Sequence, residues 1–341
     1  MNKILIIGAG AMGSAFTLPC VENSNKVSLV GTHLETKLIK NLKNNYFHKA
    51  LKSFLPKNIK FYDHKFLDLE LSKSPDYIVI AVSSKGIEWV CEKLLKNYKK
   101  KYSIILLTKG LTVHNKKIIT ISKKINYIFK SRKFPKQDIT SIKGPCLAAG
   151  LANKIRTSTV IANENINKAK KIGKIISTNY YKTEISKDIN GVEALGAIKN
   201  IYAMLIGASE GLSGLNLPKK IRKKYFHNTS ATLFREALEE MKLFSKKMNG
   251  LPETAYGLAG LGDLYVSVAG GRNSLMGYYL GTRKRYSYIK KFEMNNITTE
   301  GSDLALEIGN TLKKNYNKKE FPIMFALIDS ICRNKILNIK W

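Results

Sequence analysis

Lys199 is the strongest candidate for acid–base chemistry in this sequence. It lies in a stretch of apolar and small residues, GVEALGAIKNIYA (191–203), with helical spacing and no run of solvent-facing lysines. Burial removes water from a charged amine, so we expect the pKa of this lysine to fall towards neutrality, as suits a group that exchanges a proton. Asn200 adds a neutral donor and acceptor beside it. The alternative is a lysine at a domain edge whose amine reaches solvent.

A glycine-rich stretch, GLAGLGDLYVSVAGGRNSLMG (257–277), forms the second candidate site. Its glycines allow the backbone to approach a ligand, and Asp263 and Ser267 supply polar groups. Arg272 and Asn273 are predicted to open a helix, where an arginine beside free N–H groups would bind a phosphate. A glycine-rich connector with a surface arginine is the equal alternative.

The N-terminal stretch KILIIGAGAMGSAF (3–16) carries a dinucleotide-binding fingerprint. An apolar strand runs into three glycines and then into a helix, and a second strand-like run follows at 26–30, as this motif requires. Gly8 lets the backbone turn, Gly10 lets a pyrophosphate approach, and Gly13 lets the helix pack closely on its strand. We therefore predict a dinucleotide cofactor.

The end of the second strand should decide which nicotinamide cofactor binds. An acidic side chain there would bond to the ribose 2′-hydroxyl and repel a 2′-phosphate. Thr32 and His33 occupy the nearest positions, and we place Glu35 further on, in the next helix. The sequence thus slightly favours NADPH over NADH. An equally good interpretation is that His33 is a solvated loop residue.

The elements that must position these residues indicate an α/β fold. Apolar strands alternating with helical stretches predict a parallel sheet, whose ligands gather at the carboxyl ends of its strands. From about residue 191 the apolar spacing becomes helical. We therefore predict a Rossmann-type dinucleotide-binding domain over 1–187 and an all-α substrate and catalytic domain over 188–341. The predicted strands are 4–7, 26–30, 59–62, 76–82, 102–107, 138–142, 158–162 and 180–185, and the predicted helices are 36–51, 191–211, 228–248, 302–316 and 322–334.

Composition narrows the possible partners and compartment. The 341 residues include 58 basic and 25 acidic side chains, a net charge of +33, but the lysines are spread along the chain without a nucleic-acid-binding motif or a basic, aromatic platform. We expect steering of small anionic substrates rather than nucleic-acid binding. No apolar run approaches the roughly 20 residues of a membrane span, and the N-terminal apolar run is too short for a secretory signal. Four widely spaced cysteines predict no metal site and a reducing compartment, so we expect a cytoplasmic protein.

Taken together, the motifs resemble the NAD(P)-dependent glycerol-3-phosphate dehydrogenases over nearly the whole chain. Besides the stretches above, Thr108-Lys109-Gly110-Leu111, Gly144-Pro145 and Glu300-Gly301 stand in that family's order and spacing, and Gly270-Gly271-Arg272-Asn273 resembles the archaeal and eukaryotic form. The resemblance implies reversible reduction of dihydroxyacetone phosphate to sn-glycerol 3-phosphate by hydride transfer from NAD(P)H. It further implies a role in glycerophospholipid synthesis and a homodimer.

The same resemblance assigns roles to individual residues. Lys199 would be the catalytic group, giving a proton in reduction and accepting one in oxidation. The residues implied to bind substrate are Lys109, Gly144, Cys146, Lys199, Asn200, Asp263, Ser267, Gly271, Arg272 and Asn273. The residues expected to bind the cofactor are Gly8, Gly10, Ala11, Met12, Gly13, His33, Lys109, Ala148, Arg272, Thr298 and Glu300.

Four positions depart from the family pattern, near the substrate side. Cys146 stands where the family usually has Ser or Thr, Ala149 and Gly150 replace a polar and an acidic residue, and Glu236 stands where many relatives have Arg. Two alternatives therefore remain beside the dehydrogenase: a ketopantoate-reductase-like reductase of another small anionic ketone, and a catalytically inactive nucleotide-binding protein.

Overall fold

The structure, a computed structural model, describes residues 1–214 and 216–339. The chain forms two compact units. Unit 1 comprises Met1–Lys109 and Ile121–Val192, and unit 2 comprises Gly110–Thr120 and the residues from 193 onward. The division into domains at 187 and 188 stays a prediction.

In the described residues the strands are short and lie mostly in unit 1. They are β1 (Lys3–Ile7), β2 (Lys26–Val30), β3 (Phe47–His48), β4 (Ser53–Phe54), β5 (Lys60–Tyr62), β6 (Tyr77–Ile80), β7 (Ser103–Leu106), β8 (Leu111–His114), β9 (Lys117–Thr120), β10 (Asp138–Lys143), β11 (Thr157–Ala162) and β12 (Tyr181–Ser186).

The α-helices alternate with the strands in unit 1 and dominate unit 2. They are α1 (Ala11–Glu22), α2 (Thr36–Asn45), α3 (Leu67–Ser72), α4 (Ile87–Lys96), α5 (Ile121–Ser131), α6 (Ala148–Ala152), α7 (Ile166–Ile176), α8 (Ile189–Gly207), α9 (Ser209–Leu212), α10 (Lys219–Tyr225), α11 (His227–Lys247), α12 (Asp263–Val268), α13 (Arg272–Gly281), α14 (Tyr286–Tyr288), α15 (Glu300–Asn315) and α16 (Pro322–Cys332).

Unit 1 is built on an eight-stranded sheet with the order β12-β11-β10-β7-β6-β1-β2-β5. Its strands pair in parallel except for β10 and β11, which are antiparallel. Along β1, Ile4 and Ile6 belong to one apolar core and Leu5 and Ile7 to another, so both faces of the sheet are covered. Burial on both faces explains why these strands are continuous apolar runs in the sequence. The predicted α/β, Rossmann-type organisation is confirmed.

The order of strands also shows where unit 1 can take a ligand. From β1 the chain goes to β2 on one side, and β6 then lies on the other side of β1. In open α/β sheets the crevice at the carboxyl ends of such a pair of strands is the binding position. The glycine-rich loop after β1 opens into this crevice, because an added side chain at Gly8 would lie 2.8 Å from the backbone of Ala81, just beyond β6.

Unit 2 is helical and packs around α8. The residues of this helix that lie in unit 2 are almost all buried, and they share one apolar core with α11, α13, α15 and α16. The hairpin β8–β9 belongs to the same core through Leu111 and Ile118 and contacts α15. The sequence did not predict this hairpin. Its turn residues Asn115 and Lys116 both have positive φ, as a two-residue hairpin turn requires, but only asparagine is typical of that conformation.

Two predicted helices have different limits in the structure. The helix predicted over 36–51 ends at Asn45, because Tyr46 adopts a left-handed conformation with φ of 60° and the small hairpin β3–β4 follows. The helix predicted over 191–211 ends at Gly207, and the short helix α9 continues from Ser209. In the described part of the chain no helix is long and apolar enough to cross a membrane, and no cluster of His, Cys, Asp or Glu could hold a metal ion.

Candidate active site

Lys199 lies at the centre of a buried polar cluster in unit 2. Its Nζ donates hydrogen bonds to Asp263 Oδ1 at 2.6 Å and to Ser267 Oγ at 2.5 Å. Asp263 and Ser267 are four residues apart on α12, so both side chains face the same way. Only 5% of Lys199 and 2% of Asp263 is exposed. The sequence singled out these three residues without predicting that they form one cluster.

The pairing with Asp263 changes the expected electrostatics of the lysine. In the apolar surroundings read from the sequence, burial alone would drive the amine towards its neutral form. The carboxylate at 2.6 Å instead stabilises the ammonium, and the Ser267 hydroxyl accepts another of its protons. The structure therefore holds the amine of Lys199 against a carboxylate in a nearly solvent-free position.

Two asparagine side chains connect three helices next to Lys199. Asn273 Nδ2 on α13 donates to Asn200 Oδ1 at 3.0 Å, and Asn200 Nδ2 donates to Glu300 Oε2 at 3.1 Å. Asn273 Oδ1 in turn accepts from the backbone N–H of Gly301 at 3.0 Å, where α15 begins. Both amides are thus held in fixed orientations by the residues around them. The sequence named Asn200, Asn273 and Glu300 as site residues but did not predict this chain of hydrogen bonds.

Glycines bring these helices close enough for the hydrogen bonds to form. A Cβ added at Gly277 on α13 would lie 1.9 Å from the carbonyl oxygen of Met204 on α8, and one added at Gly301 would lie 2.5 Å from that of Asn200. No side chain fits in either place without moving a helix. The close approach of the backbones sets the positions of Lys199 and Asn200 relative to α13 and α15.

The N-terminus of α13 offers a position for an anion. Gly271 caps this ten-residue helix without a side-chain hydrogen bond, which leaves its first N–H groups available. Arg272 is exposed, and in the described part of the chain it forms no hydrogen bond or ion pair. A guanidinium beside free N–H groups at a helix N-terminus can bind a phosphate. Thr298, also named by the sequence, is exposed two residues before α15.

In unit 1 the glycine-rich loop has the geometry that the fingerprint predicts. Gly8 has φ of 108°, and a Cβ at Gly13 would lie 2.0 Å from the carbonyl oxygen of Gly8, so helix α1 lies tightly against the turn. At Gly10 a Cβ would meet only Glu35 Oε1, at 3.5 Å. Helix α1 has no side-chain cap and begins with the half-buried residues Ala11 and Met12. The loop can therefore hold a pyrophosphate, as a dinucleotide cofactor requires.

Two side chains that the sequence analysis did not assign to the site fix this loop. Glu35 accepts hydrogen bonds from the backbone N–H groups of Ala9 and Thr32 at 2.9 and 2.7 Å, and His48 Nε2 lies 3.3 Å from the Ala9 carbonyl oxygen. Glu35 ends a short 3₁₀ helix, His33–Glu35, that runs directly into α2. The Thr-x-x-Glu spacing of 32 and 35 was the available signal. His48 had none.

The remaining predicted residues of unit 1 follow neighbouring strands. Lys109 comes soon after β7 and is half-buried, and Gly144 directly follows β10 with φ of 146°. Because β7 and β10 are parallel neighbours, both residues lie at the carboxyl edge of the sheet. Cys146 and Ala148 are half-buried and pack against the core that contains Ile4 and Ile6. His33 lies edge to face with His64 and with Trp89, with ring centroids 6.4 Å apart in each case.

Comparison with known proteins places this arrangement among dehydrogenases. The family model described as NAD-dependent glycerol-3-phosphate dehydrogenase N-terminus matches residues 3–169, and the corresponding C-terminus model matches residues 188–338.

Relatives and solved structures agree with the family models. The chain is 33% identical to a glycerol-3-phosphate dehydrogenase [NAD(P)+] of Vesicomyosocius okutanii over 78% of this chain and 73% of that protein. It is 29% identical to an NADP(+)-dependent glycerol-3-phosphate dehydrogenase of Archaeoglobus fulgidus over 82% and 79% of the two chains. The solved glycerol-3-phosphate dehydrogenase of Saccharomyces cerevisiae, 21% identical, shares the fold with a TM-score of 0.81 over 98% of this chain and 97% of that one.

Proposed function

The chain belongs to the NAD-dependent glycerol-3-phosphate dehydrogenase family, and on that premise we propose that it reduces dihydroxyacetone phosphate reversibly to sn-glycerol 3-phosphate with NAD(P)H. The observation that carries the proposal is the buried ammonium of Lys199, held by Asp263 and Ser267. The family matches do not favour a reductase of another anionic ketone or an inactive nucleotide-binding protein.

The glycine-rich loop of unit 1 would hold the cofactor. The N–H groups at the start of α1 would bind its pyrophosphate, and Ala11 and Met12 would contact it. When bound, the nicotinamide supplies a hydride to carbon 2 of the substrate. We propose that Ala148, Thr298 and Glu300 complete the cofactor contacts that the resemblance implies.

Lys199 would supply the proton that this reduction requires. As carbon 2 is reduced, negative charge develops on the ketone oxygen, and an ammonium beside it stabilises that charge and then transfers its proton. Asp263 would stabilise the ammonium form of the amine beforehand, and Ser267 would restrict its direction. In the oxidation direction the neutral amine accepts the proton back from the alcohol. Asn200 would donate to the substrate from an amide whose other contacts are already fixed.

The substrate phosphate would bind at the start of α13. Arg272 would supply an exposed cation, and the first N–H groups of the helix, including that of Asn273, would supply fixed donors. The amide side chain of Asn273 is engaged with Asn200 and Gly301, so we assign its backbone rather than its side chain to the phosphate. Lys109, Gly144 and Cys146 of unit 1 are proposed to complete the substrate contacts.

The preference between cofactors rests on the end of β2. Glu35 is the acidic side chain nearest to this point, and its carboxylate already accepts from Ala9 and Thr32. His33 then becomes the side chain best placed to contact a 2′-phosphate, and we propose a modest preference for NADPH. His33→Asp should lower the ratio of kcat/KM for NADPH to that for NADH at least tenfold, since a carboxylate repels the phosphate. An unchanged ratio would remove His33 from the cofactor site.

We further propose a cytoplasmic homodimer that supplies glycerophospholipid synthesis. The four cysteines are free, which suits a reducing compartment. The dimer rests on the resemblance, and sedimentation equilibrium of the purified protein measures it directly.

A substrate competition tests the proposed activity. Oxidation of NADPH and of NADH is followed by absorbance with dihydroxyacetone phosphate and, separately, with ketopantoate. We expect turnover with the phosphorylated ketone and at least a hundredfold lower kcat/KM with ketopantoate, which lacks the phosphate that Arg272 would bind. Equal or better use of ketopantoate contradicts the proposal.

A further inference from the structure

The segment between α9 and α11 of unit 2 carries an exposed surface that contains none of the proposed site residues. Three large apolar side chains spaced four residues apart are largely exposed there: Leu217 at 50%, Ile221 at 42% and Tyr225 at 56%. Helix α10 holds the last two one turn apart, so they lie on the same face of the helix. None of the three belongs to the apolar core of unit 2.

Cations surround this apolar row. Within residues 219–224, five of six side chains are basic, and within the described chain none of the five forms an ion pair. Lys224 Nζ lies 5.1 Å from the centre of the Tyr225 ring. We call this surface the basic ridge, comprising Leu217, Lys219, Lys220, Ile221, Arg222, Lys223, Lys224 and Tyr225. A concentration of cations without ion pairs is unfavourable unless an anionic partner covers it.

We propose that the basic ridge docks the protein onto an anionic lipid bilayer. A short basic helix with an apolar row binds at the boundary between headgroups and acyl chains, where its apolar side chains enter the boundary and its cations meet lipid phosphates. Leu217, Ile221 and Tyr225 supply the apolar contact, and the lysines supply the attraction. One short helix without a lipid anchor gives weak, reversible attachment rather than stable insertion.

The composition of the ridge favours a bilayer over other anionic or apolar partners. Nucleic acids are bound by cations together with aromatic side chains that stack on bases, but two of the three apolar residues here are aliphatic. A second copy of the chain would bring five cations against five. A bilayer surface combines negative charge with an apolar layer beneath it.

Vesicle co-sedimentation of the full-length protein tests the proposal. We expect binding to vesicles of phosphatidylcholine with 30% phosphatidylglycerol at low salt, and none to phosphatidylcholine alone. The triple variant Leu217→Ser, Ile221→Ser, Tyr225→Ser keeps every charge of the ridge but should bind anionic vesicles about tenfold or more weakly, since it cannot fill the apolar layer. Its dehydrogenase activity should be unchanged.

A matched pair of charge variants separates the ridge from the overall charge. Replacing Lys219, Lys220, Lys223 and Lys224 by Gln removes four charges from the ridge. Each charge removed should weaken vesicle binding about fivefold. Replacing Lys99, Lys100, Lys170 and Lys171, exposed lysines of unit 1, by Gln removes the same charge elsewhere and should have little effect. Equal losses in both quadruple variants, full binding by the triple serine variant, or tighter binding to single-stranded DNA than to vesicles would each overturn the proposal.

Discussion

The substitution Asp263→Asn tests most directly whether Asp263 stabilises the protonated amine of Lys199. The substitution keeps the size of the side chain and one acceptor oxygen but removes the charge 2.6 Å from the Lys199 ammonium. Both residues are buried, with 5% and 2% of their surface exposed, so solvent screens the pair little. Breaking a buried pair by removing one charge costs about 3 kcal/mol or more, because the remaining charge is left uncompensated.

This cost predicts two measurable changes. The free energy of unfolding near neutral pH should fall by about 3 kcal/mol, measured by urea denaturation. The amine without its carboxylate also loses its proton more readily, so the alkaline limit of the reduction rate should move to lower pH, and kcat should fall by about two decades near neutral pH.

Glu307→Gln serves as the control, because Glu307 is an exposed acid of α15 in the same unit. Glu307→Gln should change neither the free energy of unfolding nor the pH profile of kcat. If Asp263→Asn kept the wild-type pH profile of kcat while the protein was folded, Asp263 would not govern the charge of Lys199. A loss of stability alone would assign Asp263 a structural role only.

Two further predictions concern stability. Gly277→Ala should destabilise the protein by about 2 kcal/mol or more in urea denaturation, because its Cβ would lie 1.9 Å from the carbonyl oxygen of Met204. Gly270→Ala should have little effect, because a Cβ added there would have no atom within 4 Å. Equal effects of the two substitutions would contradict the close packing of α8 and α13. Burial raises the pKa of Glu240 from 4.5 to about 7, so the folded protein retains a proton there that the unfolded chain releases. Stability should therefore fall by about 3 kcal/mol as the pH rises from about 4.5 through 7, and Glu240→Gln should remove this slope; a slope that persisted would refute the assignment.

The sequence predicted the sheet of unit 1 well because burial on both faces leaves an unambiguous signal. The strands 26–30 and 138–142, for example, lie within one residue of β2 and β10. The predictions failed where local conformation depends on a single backbone angle. Tyr46 ends helix α2 in a left-handed conformation, which its residue type does not predict.

For the candidate site, the sequence named residues but not their partners. Lys199 and Asp263 are 64 positions apart, and only the packing of α8 near α12 brings them to 2.6 Å. The contact between His48 and Ala9 of the glycine-rich loop joins residues 39 positions apart. His48 lies in a small hairpin, within a lysine-rich segment that has no clear periodicity. Such long-range hydrogen bonds follow from tertiary packing, and a periodic pattern carries no information about them.

We propose that the amine of Lys199 transfers the proton to the substrate oxygen, and the turnover of Lys199→Ala tests this step most directly. The variant should still bind NADPH through unit 1, as measured by fluorescence titration, while kcat for reduction of dihydroxyacetone phosphate falls by about three decades or more, since an acid–base group and its stabilising charge are both lost. Normal turnover in the folded, cofactor-binding variant would contradict the account.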